Sequence, residues 1–397
     1  PTYNRQCSLK ELLWGLCTQI KALPEALQAD VDVWVNDNAS DDTTASCVWR
    51  YQQHYPFVNY ACNEANLGAD RNMHLAISRP EGKFLWLMCD DDIPTHGAIL
   101  RLLEHIRTLE NNALNHEEPQ VNLIHTNGYH RNVAMNTILQ QRIYMGYQGN
   151  ALLSGDMFAK TFHNGLLRAS TLIFRKSALM GSFLERFHVG YLCAPLVFAL
   201  QALSQQTPVH SKNESLQKSP KTAYGSYIDE PLITYRENHK PWFDLWPLIA
   251  AYYIPLMAFQ AEKMGLFPKN TYRHFLVNHA GIARKFFYKM KKFPAKAFSS
   301  EPLQERWPIS WMTLMRMYAP CRWFWDECIW FCLLPYVVLQ WALKHSPIDS
   351  HLPTAGVFWL KFQVKLATVL KKKPPQAKPV DILQAVKRLN ALGSKVA

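Results

Sequence analysis

The chain has 397 residues, 48% hydrophobic and 19% charged, which is enough apolar content for a packed core and excludes a disordered segment. Its 43 Lys and Arg against 31 Asp and Glu give a formal net charge of +12, unevenly spread. Residues 1–240 hold 21 basic and 23 acidic side chains, whereas residues 241–397 hold 22 and 8, together with nine of the thirteen tryptophans. A near-neutral first part and a basic, tryptophan-rich second part imply two domains with two jobs, 1–240 and 241–397.

In chain order, Leu9, Leu12, Leu13, Leu16 and Ile20 repeat at helical spacing and predict an amphipathic helix over 8–30. Residues 31–35 alternate like a strand and run into a polar loop, Asn36-Asp37-Asn38-Ala39-Ser40-Asp41-Asp42. A second short strand is expected at 57–61, a turn at 63–68 and a helix through Ile77. After Gly82, residues 83–89 form an apolar run of the length of a buried strand, which ends in Asp90-Asp91-Asp92. Strand and helix alternate, so the first part reads as α/β with βαβ units. Further strands are expected at 121–125 and 170–175, a helix at 192–203 and an exposed loop at 204–222. Beyond Pro241, aromatic-apolar stretches at 245–259 and 328–343 alternate with basic clusters at 284–296 and 371–378.

The acidic triplet is the strongest local signal. Three adjacent carboxylates repel one another, and at the carboxyl end of a strand they form a hard-oxygen site suited to Mg²⁺ or Mn²⁺. The competing reading is a solvated acidic turn before a helix at Thr95. Ligands of open α/β sheets sit outside the carboxyl ends of the strands, where three other segments should converge. Tyr3 offers a ring face to a planar base, Asp37 can accept from a base or sugar, and Arg71 lies in the first turns of a helix facing the same edge.

The ordered set PTYNR, VWVNDNASDDTT, NEANLGADRNMHLAI and GKFLWLMCDDDIP resembles glycosyltransferase family 2 on the GT-A fold, a Rossmann-like nucleotide-sugar-binding domain. Within that family it resembles abequosyltransferase-type enzymes of bacterial O-antigen synthesis. ASTLIFRKSAL and IDEPLITYRENH continue the likeness, which covers about 1–245. The resemblance implies that Thr2 and Tyr3 contact the nucleotide, Asp37 the base, and Arg71 the base or diphosphate. Asp90 then lies near ribose and metal, with Asp91 beside it, and Asp92 is the principal metal ligand. Arg236 and His239 close over donor or acceptor.

The family's inverting enzymes take the acceptor proton with an acidic residue shortly after a segment like Phe183-Leu184-Glu185. Here that stretch, 189–193, holds no carboxylate. Glu185, His188, Asp229 and Glu230 stand as base candidates, and none is assigned.

The nine cysteines include no Cys-x-x-Cys pair, so neither a zinc ribbon nor a disulfide framework is indicated and a reducing, cytoplasmic setting is expected. No signal peptide is visible. The chain opens on Pro1 rather than methionine, so residues preceding it are expected to complete a first strand. The sixteen-residue stretch 328–343 contains Pro335 and falls short of the about 20 residues of a membrane span. Interleaved basic and aromatic residues suit an anionic lipid surface, and a peripheral place at the inner face of a bacterial plasma membrane is expected. No nucleic-acid motif appears. The resulting expectation is a metal-dependent transfer of a sugar from a nucleotide-sugar to a hydroxyl of a lipid-linked or surface-polysaccharide acceptor, with inversion. A non-catalytic glycan-binding or scaffold protein on the same fold is the alternative.

Overall fold

A computed structural model of the chain describes residues 1–115, 118–144, 146–179, 193–204, 223–237, 249–276 and 311–321. Two compact units divide it: one comprises Pro1–Leu276 with Ser300–Trp311, the other Val277–Ser299 with Met312–Ala397. The first unit thus continues past the boundary expected near residue 240. Of the second, the described part is the end of one helix, Trp311–Tyr318, and the three residues after it.

The first unit opens with helix α1 (Gln6–Lys21), whose buried Leu9, Leu12, Leu13, Cys17 and Ile20 recur every three or four residues along one face. The predicted single helix over 8–30 is broken at Ala22, because Pro24 cannot continue the hydrogen-bond ladder and starts a separate turn, α2 (Glu25–Gln28). Strand β1 (Val33–Asp37), helix α3 (Thr44–His54) and strand β2 (Val58–Cys62) form a βαβ unit, with Val33 opposite Val58 and Asp37 opposite Cys62 in a parallel pair. Its core joins α1 to both strands through Leu13, Ile20, Val35, Val48 and Val58.

Helix α4 (Ala69–Ser78) leads to β3 (Phe84–Trp86), β4 (Ile93–Pro94) and α5 (Ala98–Leu114). The long β5 (Val121–Arg131), the short β6 (Ile138–Gln140) and β7 (Ala151–Ser154), α6 (Gly155–Phe162), β8 (Leu172–Arg175), α7 (Ala194–Ser204), β9 (Tyr224–Arg236) and α8 (Ile254–Lys263) follow. A mixed sheet runs β3-β8-β5-β9-β4, with β6 added to β5 and β7 to β9. β3 is shorter than the predicted 83–89. Its partner β8 begins at Leu172, preceded by a 3₁₀ turn at Ala169–Thr171, so Leu87 makes the last backbone bond and Cys89 is held by the Ser170 hydroxyl.

The 13-residue β9 pairs in parallel with β5, and its register shifts where Thr126 faces Ile228 but Asn127 faces Pro231. Pro231 has no N–H to give the ladder, and Asp229 and Glu230 bulge out beside it. Helix α7 is buried from Ala194 to Leu203 on all sides, as a helix apolar all round must be. The 245–259 stretch, where described, is a buried π-turn at Ile249–Tyr253 leading into α8, in keeping with an internal helix. Among the described residues no helix is long and apolar enough to cross a membrane. The basic clusters at 284–296 and 371–378 and the apolar stretch 328–343 lie outside the described residues.

Between β1 and β3 lies a cavity of about 520 Å³, lined by Leu13, Leu16, Val33, Val35, Leu85 and Trp86 among others. Its two flanking strands end their sheets: among the described residues, β1 is bridged on that side only by Thr2, and β3 pairs only with β8.

Candidate active site

Thr2 adds one bridge beside the end of β1, its N–H donating to Asn36 O (2.9 Å) and its carbonyl accepting from Asn38 N (3.0 Å). The chain then turns sharply, and Asn4 adopts a left-handed backbone (φ 52°), as does Ala39 (φ 61°) in the facing loop. The two loops are clipped together, Asn4 N donating to Ser40 Oγ (2.9 Å) and Asp41 N to Asn4 Oδ1 (3.0 Å). Non-glycine residues in this region are strained, and here both border the same edge.

Asp37, at the end of β1, is buried and fully engaged. Oδ1 accepts from Ser40 N (3.0 Å) and Ser40 Oγ (2.6 Å), and Oδ2 from the Tyr60 hydroxyl (2.7 Å). Burial, then the Asp37 hydrogen bond, push the Tyr60 hydroxyl well above its ordinary pKa. Arg71 is half-buried in the first turn of α4, behind Gly68, whose φ of 82° suits glycine alone. Tyr3 is 42% exposed, its ring accessible to a ligand.

The acidic triplet is deeply buried: Asp90 is 7% exposed, Asp91 and Asp92 1% each. Asp90 accepts from the Thr2 hydroxyl (2.8 Å) and from Arg5 Nη1 (3.1 Å), which also reaches Asp91 Oδ2 (2.9 Å). Burial raises the Asp90 pKa, against the pull of Arg5. Asp92 accepts from the Ser170 hydroxyl (2.5 Å) and from Arg236 N (3.2 Å) at the end of β9. Arg236 also donates through Nε to Asp91 O (3.1 Å) and through Nη1 to Val133 O (3.0 Å), and its other terminal nitrogen meets Glu11 on α1. The β3 end, the first five residues, the turn before β8 and the tip of β9 therefore meet on the triplet.

Cys89 Sγ and carboxylate oxygens of Asp91 and Asp92 lie within 4.8 Å of one another. The carboxylates are hard donors that fit Mn²⁺ or Mg²⁺, and the thiol is softer than such ions prefer. The geometry thus groups Asp92 with Asp91, while Asp90 turns toward Thr2 and Arg5.

Two base candidates stand apart. Asp229 accepts from Gly149 N (2.9 Å) and pairs with Arg142, and Glu230 pairs with Arg101 at 2.6 Å. Seven steps along the strand separate Asp229 from Arg236, up to about 23 Å. Both are thus ion-pair partners at the bulge of β9, Glu230 exposed and Asp229 half-buried, rather than neighbours of the triplet. Glu185, His188 and His239 lie outside the described residues.

Sequence reasoning missed an asparagine cluster. Asn36 Nδ2 donates to Asn72 Oδ1 (2.5 Å), Asn63 Nδ2 to Asn38 Oδ1 and Asn72 Oδ1 (3.0 Å each), and Asn38 Nδ2 to Asn66 Oδ1 (2.7 Å). It staples β1, the turn after β2 and α4 together; asparagines at both strand ends were its signal. Ser170 and Arg5 were also unassigned, although both lie in segments that carry the resemblance.

Residues 1–172 match the family model described as glycosyl transferase family 2. This part of the chain is similar to the family 2 glycosyl transferases. Over 94 residues, 23% of the chain, it is 37% identical to abequosyltransferase RfbV of Salmonella typhimurium, and it spans 26% of that relative's length. The chain's structure is similar to S. aureus TarS 1–349 in complex with UDP-GlcNAc (TM-score 0.48, 13% identity, 94% of this chain and 90% of that one). It is also similar to the mannosyltransferase PcManGT from Pyrobaculum calidifontis with GDP-Man and Mn²⁺ (0.44, 14%, 88% and 86%). The matched residues end just after the 3₁₀ turn that carries Ser170, and Arg236 reaches the triplet from beyond them.

Proposed function

We propose that the chain is a glycosyltransferase that moves a sugar from a nucleotide-sugar to an acceptor hydroxyl. The observation that carries this reading is the buried acidic triplet at the end of β3, gripped from four segments, in a part of the chain similar to the family 2 glycosyl transferases. Tyr3 offers its ring to the base and Asp37 the base or ribose contact, with Tyr60 and Ser40 fixing the carboxylate. Arg71 faces the diphosphate side. Asp92 and Asp91, with Asp90 alongside, hold a divalent cation, Mn²⁺ or Mg²⁺, which neutralises the diphosphate leaving group. Ser170 and the Arg236 backbone N–H orient Asp92, and the Arg236 side chain ties the triplet to α1 through Glu11.

Inversion and a lipid-linked or surface-polysaccharide acceptor belong to the same reading. The likeness to an abequosyltransferase supports a surface glycan, and the excess of basic over acidic residues in 241–397 supports work at an anionic membrane surface. The general base is sought outside Asp229 and Glu230.

The test is calorimetric titration with UDP-, GDP-, CDP- and dTDP-sugars, with and without Mn²⁺. Metal-dependent binding of one nucleotide class, lost in Asp92→Asn while the circular dichroism of the fold is kept, is the expected result. An absence of binding in every combination overturns the donor-site reading in favour of a scaffold that keeps the fold.

A further inference from the structure

Arg5 plays no part in the proposed donor site, yet it forms ion pairs with two of the triplet carboxylates. Its backbone is anchored, since Leu9 N donates to Arg5 O (3.0 Å) as α1 begins. Its side chain stays 35% exposed, while the carboxylates it touches are 8% and 0% exposed. The guanidinium enters from the solvent side and lies across Asp90 and Asp91. The charges of Asp90 and Asp91 outweigh burial and hold Arg5 above its ordinary pKa.

Asp91 is also one of the residues grouped around the candidate cation position. A carboxylate taken up by a guanidinium offers less to a metal, and a divalent ion next to the Arg5 charge is repelled by it. Metal entry and the Arg5–Asp91 pair therefore oppose each other. An arginine released at the solvent side of a diphosphate site has a partner of its own, because its planar fork matches phosphate oxygens.

We infer that Arg5 is a displaceable counter-ion. It holds the acidic triplet in shape without metal, and it moves from Asp91 to the diphosphate when metal and nucleotide bind. The inference rests on the proposed metal and donor site. It makes the two ligands cooperative: each lowers the cost of moving Arg5 for the other, and by linkage the coupling is equal in both directions.

The test uses the full chain and Mn²⁺ followed by electron paramagnetic resonance, alone and with UDP, GDP, CDP or dTDP. In the unmodified protein, bare Mn²⁺ binds weakly and the matching nucleotide tightens it at least tenfold. Arg5→Gln binds bare Mn²⁺ about tenfold tighter, and the gain from nucleotide shrinks toward none. Arg5→Lys, which keeps a charge but loses the fork, falls between the two. Thermal melting in chelator and in Mn²⁺ confirms folding: Arg5→Gln melts lower in chelator and recovers more with Mn²⁺ than the parent does. Should Arg5→Gln not fold, nucleotide-dependent Mn²⁺ uptake by the parent and its reduction in Arg5→Lys carry the test. Equal bare-Mn²⁺ affinity in parent and variants overturns the counter-ion role and leaves the metal site standing. Binding of no Mn²⁺ by any variant, with or without nucleotide, overturns the metal reading itself.

Discussion

Replacing Glu110 by Gln tests how the mixed sheet is held to α5. Arg175, at the end of β8, is 3% exposed, and its guanidinium has three fixed neighbours. Nε donates to Val121 O (2.8 Å), the face of Phe84 lies 4.6 Å away, and the Glu110 carboxylate takes the fork, with Lys83 on the same carboxylate. Breaking a buried ion pair costs about 3–5 kcal/mol. Glu110 is 18% exposed and Lys83 66%, so water screens part of that charge, and Gln keeps an acceptor for the fork. The expected loss is about 2 kcal/mol near neutral pH, a midpoint shift of roughly 0.7 M in urea at a slope near 3 kcal/mol per M. The pH dependence sharpens the test. Burial raises the Glu110 pKa, but Arg175 and Lys83 outweigh burial and hold it below 4.5 in the folded state. Its stabilisation is therefore complete above the unfolded value and is lost as pH falls from about 4.5 through the folded value. Urea titrations at pH 7 and at steps down to pH 3.5 should show the two proteins converging. A gap that is absent at pH 7, or that persists unchanged in acid, would refute the ion-pair account.

His125 sits among Phe162, Tyr227, Tyr144 and Phe158 with ring centroids 5.1–6.5 Å away; burial, then Arg168, lower its pKa to about 3. The unfolded chain protonates it below about 6.5 and the folded one does not, so His125→Phe should lose less stability than the parent on acidification from pH 6.5 to 3.5, measured by thermal melting. Gly155 has no room for a side chain: a Cβ there would lie 2.0 Å from Leu203 O, where α6 crosses α7. Gly155→Ala should cost several kcal/mol and fail to give folded protein at 37 °C, read by soluble yield and circular dichroism. Tyr60→Phe removes the 2.7 Å hydrogen bond to Asp37 and should weaken nucleotide binding several-fold in calorimetry, with a stability loss of about 1.5–3 kcal/mol.

The βαβ opening was legible because its signals are local: Leu9 to Ile20 mark one helix face, and alternation over 31–35 falls on β1. The acidic triplet was equally plain, since mutual repulsion makes three carboxylates after an apolar run costly unless a cation or a set of donors meets them. What grips the triplet was not. Ser170 and Arg236 arrive from 78 and 144 residues away, and nothing in either segment marks a hydroxyl or a backbone N–H aimed at Asp92. The extent of β9 was hidden because Asp229, Glu230 and Pro231 interrupt the alternation of a strand, although the ladder resumes beyond them. For the same reason the two acids stood as candidates for proton transfer, whereas Arg142 and Arg101 hold them in ion pairs at the bulge. Preference for Asp90 with Asp92 came from the motif, and a motif says nothing about Thr2 and Arg5 folding back onto Asp90.

The cleft between β1 and β3 has a consequence for the acidic triplet. Two strand margins with unspent peptide groups face an apolar trough of about 520 Å³, a template for any extended segment that drifts in. Pro1 and Thr2 line that trough, and Thr2 already bridges the end of β1, so a strand lying in it would continue directly into Thr2. Whatever occupies the trough therefore also sets the position of the hydroxyl that holds Asp90.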